Sequence, residues 1–237
     1  MNKLLVVSAI AALGLSSVAF AGGLPEEMPT APAAVSSDAG FYLGIAGGYG
    51  MTNWKNLEGL AVNGTKLYSI SKDNGAVGRA FLGYDLNRYF AVEFGYSYFF
   101  NKPTMDLASG VTNGPFGITA SGTKFIKNTQ AFDLMGKIKA PVVDNFDLYA
   151  KLGVNYLISN LDNVTISGNS SSIRNLNVAF GAGADYYITP NIIANIEWLR
   201  FNGKAKFDFN TVTGGQAVDY QPNTDAFMVG LRYKFDM

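Results

Sequence analysis

Hydrophobic and polar positions alternate with a period of two through most of this chain, in one stretch after another. Residues two apart share one face of a strand, so such stretches predict two-faced β-strands. In 41–49 one face is Phe41, Leu43, Ile45 and Tyr49, and the other is Tyr42, Gly44, Ala46 and Gly48. In 89–99 Phe90, Val92, Phe94, Tyr96 and Tyr98 oppose Ala91, Glu93, Gly95 and Ser97. In 146–158 Phe146, Leu148, Ala150, Leu152, Val154, Tyr156 and Ile158 oppose Asp147, Lys151, Gly153 and Asn155. In 225–235 Phe227, Val229, Leu231, Tyr233 and Phe235 oppose Ala226, Met228, Gly230, Arg232 and Lys234. Weaker alternation predicts four more strands, at 76–85, 130–140, 175–187 and 192–201. The total is even, and several strands reach the roughly 9–11 residues that a tilted strand needs to cross a bilayer.

The connections alternate in length. Segments 50–75, 100–129, 159–174 and 202–224 are long, whereas 85–88, 141–145 and 189–191 are tight turns. In a single sheet this gathers all the long loops at one rim, as in a membrane barrel with short periplasmic turns and long extracellular loops. The expected fold is all-β, an eight-stranded antiparallel up-and-down transmembrane β-barrel. Eight strands leave an interior just wide enough for side chains. Rows of Phe, Tyr and Leu overfill so narrow a lumen, while Gly, Ala and a few charges fit. The aromatic face is therefore expected to meet lipid, with the small and charged face turned inward. The soluble alternative is a lipocalin-like ligand carrier with the faces reversed.

The N-terminus adds an address. Lys3, the apolar run 4–15 and Ala19-Phe20-Ala21 form the charged, apolar and small-x-small parts of a secretory signal peptide over 1–21. That run is too short to span a bilayer as a helix. Residues 22–40 carry Pro25, Pro29 and Pro32 among Ala, Ser and Gly and read as a periplasmic or flexible leader. The barrel is assigned to 41–235.

Composition agrees with this and removes several chemistries. Hydrophobic residues make up 48% and aromatics 14%, but charged residues only 15%, below the roughly 25% of soluble domains. There is no Cys and no His, which removes disulfides, thiolates and the commonest metal ligand and general base. Basic and acidic residues balance at 18 each, so no nucleic-acid footprint is present. No enzyme, metal or cofactor is expected. The glycine-rich runs 44–50 and 181–183 lie inside strands with no following helix, which argues against a phosphate loop.

Arg79-Ala80-Phe81-Leu82-Gly83-Tyr84-Asp85-Leu86-Asn87-Arg88-Tyr89, leading into Val92-Glu93-Phe94-Gly95-Tyr96, closely resembles the transmembrane domain of the OmpA family of outer-membrane proteins. Pro141 to Gly153, Tyr187-Ile188-Thr189-Pro190, Ile196-Glu197-Trp198 and Val229-Gly230-Leu231-Arg232-Tyr233-Lys234-Phe235 extend the similarity over about 41–235. The long loops show no such match. Family members hold paired charges in the lumen, and the resemblance carries this cluster onto Glu93, Lys137, Lys151, Asp185 and Glu197. Alternation independently places each of them inward. One basic position of the family's cluster falls on Asn195. Arg79 faces inward where members usually have a small residue, and is expected to supply that charge. Many members continue into a peptidoglycan-binding domain. This chain stops at Met237, so a barrel without wall binding is expected.

Glu93 and Lys137, on neighbouring strands, are expected to pair, with Asp185, Lys151 and Arg79 exchanging partners. Such a network is either structural or part of a narrow ion path, and a wide pore needs about 16–18 strands. Trp198, Tyr84, Tyr96, Tyr98 and Tyr156 are expected in interfacial girdles. Trp54, Met105 and Phe116 lie in the loops, which are either a ligand surface or a polar cap. The expected role is to support outer-membrane integrity, with small-solute or ion passage. The alternative is a surface adhesin or receptor acting through its loops. Expected partners are outer-membrane lipid and lipopolysaccharide, the barrel-assembly machinery during insertion, and a host-surface or phage ligand at the loops.

Overall fold

Alternating strands with one fully apolar face bury nothing as single hairpins, and closing the sheet on itself resolves this while pairing every edge. The computed structural model shows that closure and describes residues 39–54, 61–62, 65–66, 68–109, 120–162, 172–203 and 221–235. The signal peptide and nearly all of the leader lie outside the described residues, as does Phe116.

Eight long strands form the barrel: β1 (Gly40–Thr52), β5 (Asn74–Asp85), β6 (Phe90–Phe99), β9 (Ile126–Val143), β10 (Phe146–Leu161), β11 (Ser172–Tyr187), β12 (Ile192–Phe201) and β13 (Thr224–Lys234). Each pairs antiparallel with its neighbours in chain order, and β1 closes the ring between β5 and β13. Ile45, for example, stands opposite Ala80 on one side and Leu231 on the other. Five short strands lie in the long connections: β2 (Ala61–Val62), β3 (Thr65–Lys66), β4 (Tyr68–Ser71), β7 (Thr104–Leu107) and β8 (Thr123–Lys124). β2 pairs with β3, and β4, β7 and β8 form a three-stranded sheet.

The tight turns are held by local polar side chains. Asn87 Oδ1 accepts the backbone N–H of Tyr89 at 2.8 Å and of Phe90 at 2.9 Å. Thr189 Oγ1 accepts the N–H of Ile192 at 2.9 Å. Both are the self-bonding turns that Asn and Thr favour. Pro141 has no N–H to give a ladder, and it sits where the β9–β10 register shifts, between Phe146 opposite Val143 and Asp147 opposite Pro141.

Burial alternates along the barrel strands with the expected phase, broken at Gly47 to Tyr49 of β1, which are all exposed, and at Thr224 to Ala226 of β13, which are all buried. Leu152 and Val229 are each 65% exposed on the outer wall, whereas Lys151 and Arg232, next to them or nearly so, are buried. The outer wall is a band of Phe, Tyr, Leu, Ile and Val, the surface a bilayer core accepts. The soluble carrier, which needs these residues inside, is overturned by this phase. Tyr84, Tyr96, Tyr98, Tyr156 and Trp198 all point outward. Tyr84 stacks edge-on with Phe41 towards the short-turn rim, at 4.7 Å between centroids. Tyr96 with Phe132 (4.9 Å) and Trp198 with Phe180 (5.8 Å) lie towards the long-loop rim.

Three strands run longer than expected. β9 spans 18 residues from Ile126 rather than starting near Gln130, and β10 and β11 each span 16. This raises one side of the wall above the others. The long connections are also not plain polar loops. Trp54, Ile70, Met105, Phe125 and Ile126 are buried there, and Trp54 packs edge-on against Phe125 at 5.2 Å.

Candidate functional site: the charged lumen

An eight-stranded barrel must fill its interior with side chains, and this one does so by matching large residues to inward glycines. Tyr42 occupies the space over Gly83, and Arg79 lies over Gly95; a Cβ at either glycine would collide with that side chain. Long polar side chains can therefore cross the lumen to strands that are not sheet neighbours.

All six expected residues, Arg79, Glu93, Lys137, Lys151, Asp185 and Glu197, are buried and face this interior. Arg79 forms a bidentate pair with Asp133, Nη1 to Oδ2 at 2.6 Å and Nη2 to Oδ1 at 2.9 Å. It also donates to Glu93 Oε1 at 3.0 Å and stands 3.7 Å from Glu197. Lys151 donates to Glu93 at 2.6 Å and also to Glu197. Two tyrosine hydroxyls complete this group, Tyr42 donating to Glu93 at 3.0 Å and Tyr149 to Glu197 at 3.1 Å.

A second group gathers on Asp185, which accepts from Lys137 at 2.7 Å and from Arg232 at 2.9 Å. The Lys137 ammonium rests over the Tyr149 ring at 3.7 Å, and the Arg232 guanidinium over the Tyr42 ring at 4.8 Å. A third group lies at the short-turn rim, where Asp85 binds Lys139 at 2.7 Å and Lys234 at 3.3 Å. Nearby Asp147 accepts the Tyr187 hydroxyl at 2.8 Å.

The expected Glu93–Lys137 pair is not formed. Across the β6–β9 ladder Glu93 faces Met135, and Lys137 faces Ala91. Glu93 instead reaches Arg79 on β5 and Lys151 on β10, while Lys137 turns to Asp185 on β11. In so narrow a tube a side chain meets partners across the lumen as readily as along the ladder, so adjacency of strands does not select the pair. Arg79 supplies positive charge to this network, and Arg232 supplies more. Asn195 lies beside Asp185 in the β11–β12 register.

Asp85, Asp133, Lys139, Asp147, Arg232 and Lys234 were not among the expected site residues. The signal for them was present: Asp133 is four residues from Lys137 and thus on the same face, and alternation already put Asp147, Arg232 and Lys234 inward. Among the described lumen residues the cations are Arg79, Lys137, Lys139, Lys151, Arg232 and Lys234. The anions are Asp85, Glu93, Asp133, Asp147, Asp185 and Glu197. Six against six balance within these three groups (6 − 6 = 0), while Asp73 and Asp225 are buried as well, nearer the loop rim.

Towards the long-loop rim the lumen changes character. Val77, Phe99, Ala131, Leu157, Ala179, Leu199, Phe201, Ala226 and Met228 gather there, the upper part of one buried apolar cluster that continues down among the charges through Phe81, Tyr42, Ala46, Ala91 and Met135. The Phe99 and Phe201 rings meet edge-to-face, with centroids 6.0 Å apart. Beyond them lies a polar layer in which Gln221 donates to Ser159 at 3.0 Å and Asn101 donates to Thr52 at 2.8 Å.

Comparison with known proteins places this architecture. Residues 10–235 match the family described as outer membrane protein beta-barrel domain. A protein of Coxiella burnetii named only as uncharacterized is 30% identical over 97% of both chains. Outer membrane protein A of Salmonella typhi is 27% identical over 66% of this chain, a match that spans 39% of that longer protein. Among solved structures, Neisserial surface protein A superposes with a TM-score of 0.51 at 14% identity, covering 83% of this chain and 99% of that one. Pseudomonas aeruginosa OprG gives 0.51 at 17% identity, with coverages of 84% and 98%. These two likenesses speak to fold alone. The apolar outer wall, the closed ring of eight strands and the filled, charge-balanced lumen are those of an OmpA-like barrel, and the chain belongs to the outer membrane protein β-barrel domain family.

Proposed function

We propose that this protein is exported through residues 1–21, resides in the outer membrane with its short turns in the periplasm and its long loops at the cell surface, and supports membrane integrity as a barrel that is closed at rest. The observation that carries this reading is the lumen. Six cations and six anions interlock across it, and an apolar layer seals it towards the loops, which suits a rigid, sealed wall better than a pore. Passage of small ions would require this filled lumen to rearrange. Deleting the gene should raise the sensitivity of cells to detergent and to large antibiotics, with restoration by the wild-type chain. An unchanged barrier in the deletion strain would sink the integrity role. Protease added to intact cells should cut within 50–75, 100–129, 159–174 or 202–224. Cuts at 85–88 or 141–145 would invert the orientation.

The buried cluster of Trp54, Ile70, Met105, Phe125 and Ile126 favours a second reading, that the loops are a preformed surface for a cell-surface or phage ligand. A ligand needs less ordering of a folded cap than of free loops. Loss of cell binding or phage adsorption on trimming the β4–β7–β8 sheet, with the barrel still folded, would support it; unchanged binding would remove it.

A further inference from the structure

The lumen is divided along its axis, and the two parts differ in what they can hold. In the ionic part several buried polar atoms make no hydrogen bond: Asp185 Oδ1 and Asn195 Oδ1 as acceptors, Arg232 Nε and Nη1 as donors, and Arg79 Nε with Glu197 Oε1, which stand 3.7 Å apart; nearer the loops, of the described inward side chains, only Asn101 Oδ1 and Thr224 Oγ1 do the same. Buried polar atoms are otherwise satisfied in folded proteins, by protein or by ordered water. Acceptors and donors mixed within one region suit bridging water, which gives to the first and accepts from the second. The apolar part offers water little. Its apolar side chains are at most 3% exposed, the buried polar groups at its edge, Ser97 and Asn155, are already hydrogen-bonded to Arg79 and to the Asn202 carbonyl, and the Phe99 ring is seated against Gly50, where any Cβ would collide with it.

We propose that the barrier to passage along the lumen is the dry tier centred on Phe99, Phe201, Leu199, Leu157 and Val77, and that the ionic network beneath it is wetted from the short-turn side. Apolar constrictions close water-filled paths by excluding water, with no need for a covalent or ionic latch. Rearranging the ion pairs alone then leaves the barrel shut. This rests on the reading that the lumen is a potential ion path, and the test separates the two.

The chain has no cysteine, so a single introduced thiol reports on one position. Asn195→Cys places it in the ionic part and Ala226→Cys in the dry tier. The probe is silver ion, small enough to follow a narrow path, applied to one side of vesicles holding the refolded barrel and read as protection from later maleimide labelling after unfolding. Asn195→Cys should react from the short-turn side only, and Ala226→Cys from neither. Adding Phe99→Ser with Phe201→Ser should open Asn195→Cys to the loop side and raise the mean current through planar bilayers by about tenfold or more. Phe99→Leu with Phe201→Leu, which keeps the tier apolar, should stay closed. Glu93→Gln with Lys151→Met should leave the loop side unreactive. Each variant is first shown to be folded by its heat-shifted migration in detergent gels.

Loop-side access to Asn195→Cys in the parent barrel, or opening by the Glu93→Gln and Lys151→Met pair but not by the serine pair, would overturn the proposal. If Asn195→Cys reacts from the short-turn side while the serine pair stays closed, the barrier lies elsewhere and only this inference falls. If no variant reacts from either side, the ion-path reading falls and takes the inference with it.

Discussion

The two faces of the same strands obey opposite rules. On the outer wall of β10, Leu148, Leu152 and Val154 are large, apolar and exposed, and nothing in the protein touches them tightly. On the inner wall Asp147, Lys151 and Asn155 are buried and polar, and Gly153 lies against the backbone of β9. In a water-soluble sheet the apolar face is the packed one. Here the solvent of the outer face is lipid, so apolarity is needed where packing is loose, and packing is tight where the residues are polar. Hydrophobicity thus reports the solvent of a face, and residue size reports how crowded it is.

The largest expected effect breaks the inner rule by removing a charge. Glu93→Ala takes one of two carboxylate partners from Lys151 and one from Arg79, and loss of one member of a buried ionic group costs about 3–5 kcal/mol. Urea unfolding in lipid vesicles measures it. In a double-mutant cycle Glu93→Ala with Lys151→Ala should cost clearly less than the sum of the singles, because the pair is in contact. Glu93→Ala with Lys137→Ala should come much closer to additivity. Strong coupling of the latter pair and none of the former would show that the partners are exchanged.

Next comes a charge on the outer face. Leu152→Arg and Val229→Arg should each destabilise by about 2–4 kcal/mol if those sites lie near the bilayer midplane. The same unfolding assay reads it, and tolerance of arginine at both would put the faces the other way round.

Size rather than charge distinguishes the faces at adjacent residues. Gly153→Ala adds a single methyl against the Leu134 carbonyl and the Met135 backbone, and should cost about 1–3 kcal/mol, as overpacking does. Leu152→Ala removes far more atoms from an outward site that is 65% exposed within the protein, and should leave the lumen undisturbed. Equal disturbance of the lumen, read from Tyr149 and Tyr42 environments by NMR, would end the comparison.

The smallest effect is expected at the rim. Arg200 and Asp225 face outward near the loop end, 3.4 Å apart, with Trp198 Nε1 donating to Asp225 at 3.2 Å. Arg200 keeps a third of its side chain exposed although Asp225 is largely buried, so Arg200→Ala should cost about 1 kcal/mol, closer to an exposed ion pair than to those of the lumen. A loss as large as that of Glu93→Ala would mean that this pair is sealed from water like those of the lumen.

How far the sequence was readable varied with the contrast between the faces. Strands 41–49, 89–99, 146–158 and 225–235 were plain because large apolar residues alternate there with Gly, Ala or charges. The upper part of β9 was not: around Ile126, Asn128 and Gln130 the wall rises beyond the apolar band, the outer face becomes polar, and the alternation fades. The cap sheet was not legible either. Ile70, Met105 and Phe125 come from two separate connections with no period of their own, and only their meeting in space makes a core.

The candidate site divides in the same way. That Arg79, Glu93, Lys137, Lys151, Asp185 and Glu197 face inward follows from parity, because successive side chains on a strand point to opposite faces. Their partners do not follow from it. Whether Glu93 meets Lys137 or Lys151 depends on the shear of the barrel, which sets the heights of the strands, and on the glycines that let Arg79 and Tyr42 reach across. The sequence by itself determined the number of barrel strands, the phase of each of them and the sign of each inward charge, since these are local and repeat every two residues. Only the tertiary structure decided the ion-pair partners, the apolar tier above them and the folded cap, because each joins residues far apart in the chain across a lumen whose width and stagger no single strand encodes.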